Sequence, residues 1–324
     1  MIISQTPLRV SIVGGGTDLK NFYNKNKGQV ISFSINKFIY VIVKKRFDDL
    51  IVLNYTKNEI VKSVDEINHD LIRECCKVVG IEKSIEITTL ADIPSQGSGL
   101  GSSSAVTVGL LNALYNHTGQ QPSNEQLAKK ACEIEINTLK NPIGKQDQYI
   151  AAYGGFKKFI FKSDENVEVK DYCFEEEDLL IVGSNLLLHY TNQTRNASKI
   201  LSKQNKNINN KLIELRSISS LVDKLDPKLD QGLYSCIGEL LKENWLLKKK
   251  LSDGISSNFI DEMVLKAEAG GAEGCKISGA GGGGFLLAYV DRDRQKKYRN
   301  AMKEYRELPF MIEKFGSRII FNIN

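Results

Sequence analysis

Hydrophobic positions along the chain change period near its middle. Leu8–Val13, Val30–Ile35, Phe38–Val43 and Ile51–Leu53 alternate or run apolar and are rich in Val, Ile and Phe, which predicts strands separated by short turns. A helical spacing covers Ser63–Val79 and stops at Gly80, and a strand follows over Ile85–Thr89. Helices are predicted over Ser103–Tyr115, closed by Gly119, and over Asn124–Leu139. Strand character returns at Phe156–Phe161 and Leu179–His189. Residues 197–225, 229–250 and 256–269 then read as helices, followed by a strand at Cys275–Ile277, a glycine run and a strand at Phe285–Val290. A charged helix at 293–306 and a strand near Arg318–Asn322 close the chain. Strands dominate the first half and helices the second, so two α+β domains are expected, 1–180 and 181–324.

Composition narrows the class without deciding it. With 41% hydrophobic and 26% charged residues, the chain is an ordinary globular one, neither disordered nor fibrous. Lys+Arg 44 against Asp+Glu 39 leaves +5, too thin an excess over 324 residues to point to nucleic acid, though it suits a phosphorylated small molecule. The first residues lack the basic start and apolar stretch of a leader, and no apolar run approaches the ~18 residues of a membrane span. Six scattered cysteines form no C-x-x-C pair; Cys75-Cys76 and Cys132 fit helix packing. A reduced, cytoplasmic protein with no membrane partner is expected, and the N-x-[ST] triplets at Asn54, Asn116, Asn192 and Asn196 are read as chance.

Three glycine clusters carry the chemistry. In Gly97-Ser98-Gly99-Leu100-Gly101-Ser102-Ser103-Ser104, glycines let backbone N–H groups converge, and the serines lead into an apolar helix whose N-terminus adds free donors. This reads as a phosphate cradle. It has no Gly-Lys-Ser/Thr ending and is not a Walker loop. Gly279-Ala280-Gly281-Gly282-Gly283-Gly284 matches a dinucleotide fingerprint by spacing alone, because a strand and not a helix follows it. A loop that lets backbone approach a ligand is the better reading. Gly14-Gly15-Gly16-Thr17-Asp18 closes the first strand, placing Arg9 and Asp18 on either side of a tight turn.

Two carboxylates between the clusters stand apart. Helical geometry puts Glu135 on the stripe of Leu127, Ala128, Ala131 and Cys132, while Glu133 points to the solvent side. A buried carboxylate is costly unless paired or bound to a metal. Asp147 follows a Pro/Gly break and precedes an apolar run, a place from which it can be aimed into a cleft. Lys248-Lys249-Lys250 reads as a solvated helix end and Trp245 as a core filler.

In this order and spacing the clusters resemble the GHMP kinases, the superfamily of galactokinase, homoserine kinase, mevalonate kinase and phosphomevalonate kinase. The likeness runs through Pro7–Val10 with Gly16-Thr17-Asp18, through Gly97–Ala105, and through Gly279–Gly284. It implies a two-domain α+β fold, with a ribosomal protein S5 domain 2-like N-terminal domain, a ferredoxin-like C-terminal domain and the active site in the cleft between them. It also implies ATP and Mg²⁺. Gly97, Ser98, Gly99, Leu100, Gly101, Ser102, Ser103 and Ser104 would bind ATP, and Ser103 with Glu135 would hold the metal, with Ser102 or Ser104 as alternatives to Ser103. Asp147 would be the base and Arg9 would stabilise the transferring charge.

Substrate contacts implied by the resemblance are Gly15, Gly16, Thr17 and Asp18 with Gly279, Ala280, Gly281 and Gly282. Lys145, Arg195 and Lys199 are the candidates for a distal phosphate. Within the superfamily, the Gly-Gly-Gly-Thr-Asp turn and Gly144–Gln148 are most similar to the branch acting on D-glycero-D-manno-heptose 7-phosphate. Galactokinases carry Glu-His where this chain has Gly15-Gly16, which argues against galactose. The expected activity is phosphorylation of the anomeric hydroxyl of that sugar phosphate, with no nucleic-acid partner and room for a homodimer. Another kinase of the fold, fucose-like or mevalonate-like, and a catalytically silent regulator are the alternatives.

Overall fold

The computed structural model describes residues 1–94, 97–193 and 197–323. Strands β1 (Ile2–Val13), β2 (Gly28–Lys45), β3 (Ile51–Asn54), β4 (Asn58–Val61), β5 (Ile85–Ala91), β6 (Phe156–Phe161) and β7 (Val167–Asp171) build the larger sheet together with the closing strand β11 (Arg318–Asn322). β8 (Leu186–Tyr190), β9 (Gly274–Ile277) and β10 (Phe285–Tyr289) form a separate antiparallel sheet with β10 central. Mixed α+β architecture follows, as the change of period predicts.

β2 organises the larger sheet by its length. Its 18 residues pair with β1 along one side, while on the other Gly28–Phe33 pair with β6 and Ile39–Lys45 with β5. Val30–Ile35 and Phe38–Val43, expected as two strands, are therefore one. β1 likewise begins at Ile2, six residues before the predicted start, because β2 and β11 offer partners on both sides of its polar first half. β11 returns from the far end of the chain to pair with β1, so the two sheets do not follow a single cut in the sequence.

Leu179–His189 divides differently from expectation. Glu175 and Asp178 form a capping box, and acidic residues in the first turn start a helix over Glu176–Asn185; only Leu186–Tyr190 is strand. The helix expected at 197–225 is two, Ala197–Lys206 and Leu212–Asp230 with Pro227 inside it, and the one expected at 229–250 spans Cys236–Lys249. The charged helix expected at 293–306 spans Gln295–Ala301.

The helix Ser102–His117 lies against β1 and β2. Gly109 makes this approach possible, since a Cβ there would lie 2.8 Å from Thr6 Oγ1, and Ser4 Oγ donates to its carbonyl at 2.8 Å. Helix Leu212–Asp230 ties to the larger sheet through Asp226. Burial alone would raise that carboxyl, but donors on Lys158 (2.6 Å), Lys170 (2.8 Å) and Tyr172 (2.7 Å) bring it down to about 2.

Candidate active site

Gly97, Gly99 and Gly101 all adopt positive φ (72°, 71° and 74°), a conformation other residues reach only with strain. The loop they form leads into Ser102, the first residue of its helix, whose leading N–H groups have no partner a turn earlier. Of the three serines, Ser102 and Ser104 are buried and Ser103 is exposed. Ser98 and Ser102 hydroxyls meet at 3.0 Å. Ser103 instead donates to Glu135 Oε1 at 2.9 Å.

Glu135 has no exposed surface, and Glu133 is exposed, as their helical positions predict. The backbone there is a π-helical stretch, Glu133–Thr138, after the α-helix Asn124–Cys132; the sequence pattern had run straight through it. Burial raises the Glu135 carboxyl above its ordinary value, and hydrogen bonds from Ser104, Gln148 and Ser103 oppose that rise. Gln148 Nε2 donates at 2.6 Å. Among the described residues no three His, Cys, Asp or Glu side chains cluster for a metal. Glu135 and Ser103 are both hard oxygen donors. That partial set suits Mg²⁺, which takes most of its ligands from water and substrate phosphates.

Arg9, on β1, crosses to the cradle. Its Nε and Nη2 each donate 2.7 Å to the two carboxylate oxygens of Asp147, while Nη1 donates 2.7 Å to the Gly99 carbonyl. The Arg9 N–H also donates to Leu100 O at 3.0 Å. Asp147 lies in the first turn of helix Gln146–Tyr153, with a quarter of its side chain exposed against 5% for Arg9. A rigid guanidinium fork thus fixes both the carboxylate and the glycine loop.

Asp18 faces the same space. Its oxygens accept from Gly16 N (3.0 Å) and Gln146 N (3.3 Å), and burial followed by the nearby Asp147 charge raises its carboxyl. Gly144 leaves the room, since a Cβ there would sit 2.0 Å from Asp18 Oδ2. A Cβ on Gly15 would lie 3.5 Å from Ser11 Oγ and 3.8 Å from Gln146 Nε2, and Ser11 Oγ and Gln146 Oε1 are buried with no hydrogen-bond partner among the described residues. Buried polar atoms without partners mark a place a polar ligand fills. The Thr17 hydroxyl, by contrast, is spent on the Gly14 and Gln29 carbonyls at 2.8 Å and holds the turn.

The Gly279–Gly284 loop closes onto the Gly97–Gly101 loop. A Cβ on Gly279 would lie 2.7 Å from Gly99 O, and one on Gly284 would lie 2.4 Å from Ser98 O. Gly282 N donates to Ile255 O at 2.8 Å, and Ala280, Gly281 and Gly282 sit in this loop between β9 and β10. Lys145 does not face a vacant anion place: its ammonium donates to the Glu165 carboxylate and carbonyl and lies 5.0 Å over the Tyr23 ring. Arg195 lies outside the described residues, and Lys199 is on the exposed side of helix Ala197–Lys206.

Lys248 departs most from expectation. It is 5% exposed, not solvated, and its ammonium donates to the Gly279 carbonyl. Asn244, one turn earlier, accepts from Gly14 N at 3.3 Å. The signal existed: Ile237, Leu241, Asn244, Trp245 and Lys248 share one helical stripe, the same argument that turns Glu135 inward.

Models of two families match, the GHMP kinases N terminal domain over residues 53–155 and the GHMP kinases C terminal domain over 227–307. A "D-glycero-alpha-D-manno-heptose 7-phosphate kinase" from Campylobacter jejuni is 30% identical, over 97% of this chain and 96% of the relative. The chain belongs to the GHMP kinase family. A mevalonate kinase from Pyrococcus horikoshii is 29% identical over 91% of this chain and 82% of its own length. A solved structure described as a D-glycero-D-manno-heptose 1-phosphate kinase from Bacteriodes thetaiotaomicron superposes with a TM-score of 0.83 over 100% of both chains at 24% identity, a likeness of fold. As a GHMP kinase the protein is a phosphotransferase acting on an alcohol group, and the family's phosphate donor is ATP. No helix among the described residues is long and apolar enough to cross a membrane.

Proposed function

We propose that this GHMP kinase transfers the γ-phosphoryl group of ATP to the anomeric hydroxyl of D-glycero-D-manno-heptose 7-phosphate, giving the 1,7-bisphosphate for nucleotide-activated heptose and surface polysaccharide synthesis in the cytoplasm. The observation that carries the reading is the Arg9–Asp147 fork fixed to the Gly99 carbonyl at the mouth of the cradle. The relative from Campylobacter jejuni supports the choice of sugar.

Phosphoryl transfer needs alignment and charge neutralisation more than covalent help. Gly97–Ser104 cradle the donor phosphates through backbone N–H groups. Each Asp147 oxygen keeps a lone pair beyond its bond to Arg9, and one of them accepts the proton of the attacking hydroxyl. Arg9 holds that carboxylate in place and faces the charge that spreads over the moving phosphoryl group. Asp18, with Gly15, Gly16 and the unpartnered Ser11 and Gln146 atoms, receives the sugar hydroxyls. Ser103 and Glu135 hold Mg²⁺, which when bound neutralises the donor phosphates. Arg195 and Lys199 are the residues proposed for the 7-phosphate.

A substrate panel tests this reading. Purified protein with ATP and Mg²⁺ is offered heptose 7-phosphate, galactose, fucose, mannose and mevalonate, and turnover is expected with the first. Phosphorylation of an unphosphorylated sugar but not of the heptose phosphate would overturn it. Glu135→Gln is expected to raise the Mg²⁺ concentration for half-maximal activity about 10-fold or more. An unchanged Mg²⁺ titration removes Glu135 from the metal.

A further inference from the structure

Helix Cys236–Lys249 and β9 bring two further lysines, Lys248 and Lys276, to the surroundings of Arg9. Lys248 and Lys276 are both buried, 5% and 1% exposed, and among the described residues neither ammonium reaches a carboxylate within ion-pair distance. Each rests on a backbone carbonyl, Lys248 on Gly279 and Lys276 on Ile12 at 2.8 Å. A buried cation without a counter-charge is costly, and an anion that arrives with substrate removes the cost. Two polar groups beside Lys248 also lack partners among the described residues: Asn244 Nδ2, one turn away on the same face, and the fully buried Ser278 Oγ next to Gly279.

The position of Lys248 decides which anion. Gly279 packs directly on Gly99, whose carbonyl accepts from Arg9, which in turn grips Asp147. The ammonium therefore lies beside the loop contact that holds the Arg9–Asp147 fork, which the proposed function places at the moving phosphoryl group. We propose that Lys248 is a further catalytic residue, a phosphoryl-binding cation that contacts the γ-phosphate of the donor on the side opposite Arg9. Nothing in this depends on which sugar is the acceptor; it rests only on the nucleotide side of the proposed function.

The charged groups around Lys248 come from every element packed there: Arg9 on β1, Asp18 in the first glycine turn, Asp147 on its helix and Lys276 on β9. Burial, then Arg9, lowers the Lys248 ammonium to about 8, with Asp18 and Asp147 opposing, so it carries its charge at neutral pH. Burial, then the Lys248 charge, lowers Lys276 well below its ordinary value, and its nitrogen donates to the Ile12 carbonyl.

Calorimetric titration with ADP and with a non-hydrolysable β,γ-imido triphosphate tests the proposal. Lys248→Met is expected to weaken the triphosphate analogue by at least about 10-fold and to leave ADP unchanged, as one charge-assisted hydrogen bond to a phosphate implies. Lys248→Arg is expected to restore most of the difference. Equal effects on both nucleotides, or no effect on either, overturns it. So does a rise confined to the KM of a phosphorylated acceptor, which would give Lys248 to the acceptor's phosphate. Should Lys248→Met fail to melt cooperatively, the wild-type protein carries the test. Its preference for the triphosphate analogue over ADP should fall as pH rises through about 8, where Lys248 loses its proton. A flat preference across that range overturns the proposal as well.

Discussion

Asp147→Asn is expected to lower kcat by about 10²–10⁴-fold, the usual worth of a positioned general base, while the KM for ATP stays within about 2-fold. The amide keeps an oxygen for one Arg9 donor, so the fork loosens without leaving the arginine bare; in the native protein both Asp147 oxygens sit 2.7 Å from Arg9 nitrogens. The amide cannot take a proton from the acceptor hydroxyl. Steady-state kinetics with the accepted sugar reads the effect. An anomeric hydroxyl is an acidic alcohol, which places the expected loss toward the lower end of the range. Near-full turnover would remove Asp147 from proton transfer and leave it an anchor for Arg9.

Gly274→Ala is expected to have the largest effect on stability. A Cβ at Gly274 would stand 1.9 Å from the Gly238 carbonyl oxygen and 2.9 Å from Lys242 N, both backbone atoms of helix Cys236–Lys249. No side chain can move aside to relieve the clash, so the whole helix must back away from β9. Overpacking of this kind costs about 3 kcal/mol, and a lowering of Tm by at least ~5 °C in calorimetry is the expected result. The same displacement carries Asn244 and Lys248 away from Gly14 and Gly279, so residual activity should fall further than stability alone explains. An unaltered Tm would show that the helix does not rest on β9 as described.

The parts of the site that could be read from sequence share one property: their signal is local. Glycine clusters report backbone that must turn or approach closely, and the cradle's three positive φ angles are what Gly97, Gly99 and Gly101 were there to allow. Periodicity sends Glu135 inward and Glu133 outward within one short segment, and it survives the π-helical turn because both residues keep their sides. The same stripe logic applied to helix Cys236–Lys249 would have turned Lys248 inward. A run of three lysines hides that, because charge alone suggests solvent.

Local pattern also gave the class of element more reliably than its ends. Glu176–Asn185 is helical because a capping box and an acidic first turn outweigh an apolar run that suits either structure. β1 and β2 extend past their apolar cores because neighbours supply hydrogen-bond partners for residues whose own pattern is weak.

By itself, then, the sequence determined the glycine loops, the inward carboxylate, the mixed α+β class and the order of motifs shared with GHMP kinases. Tertiary structure alone decided which distant residues meet. Arg9 and Asp147 lie 138 positions apart and are joined by the crossing of β1 over the cradle. Lys145 is drawn to Glu165, and Lys248 to Gly279. β11 reaches β1 from the far end of the chain. The physical reason is that hydrophobic period and turn chemistry act over a few residues, whereas the partner of a buried charge is set by strand register and by which backbones can pack without a Cβ between them.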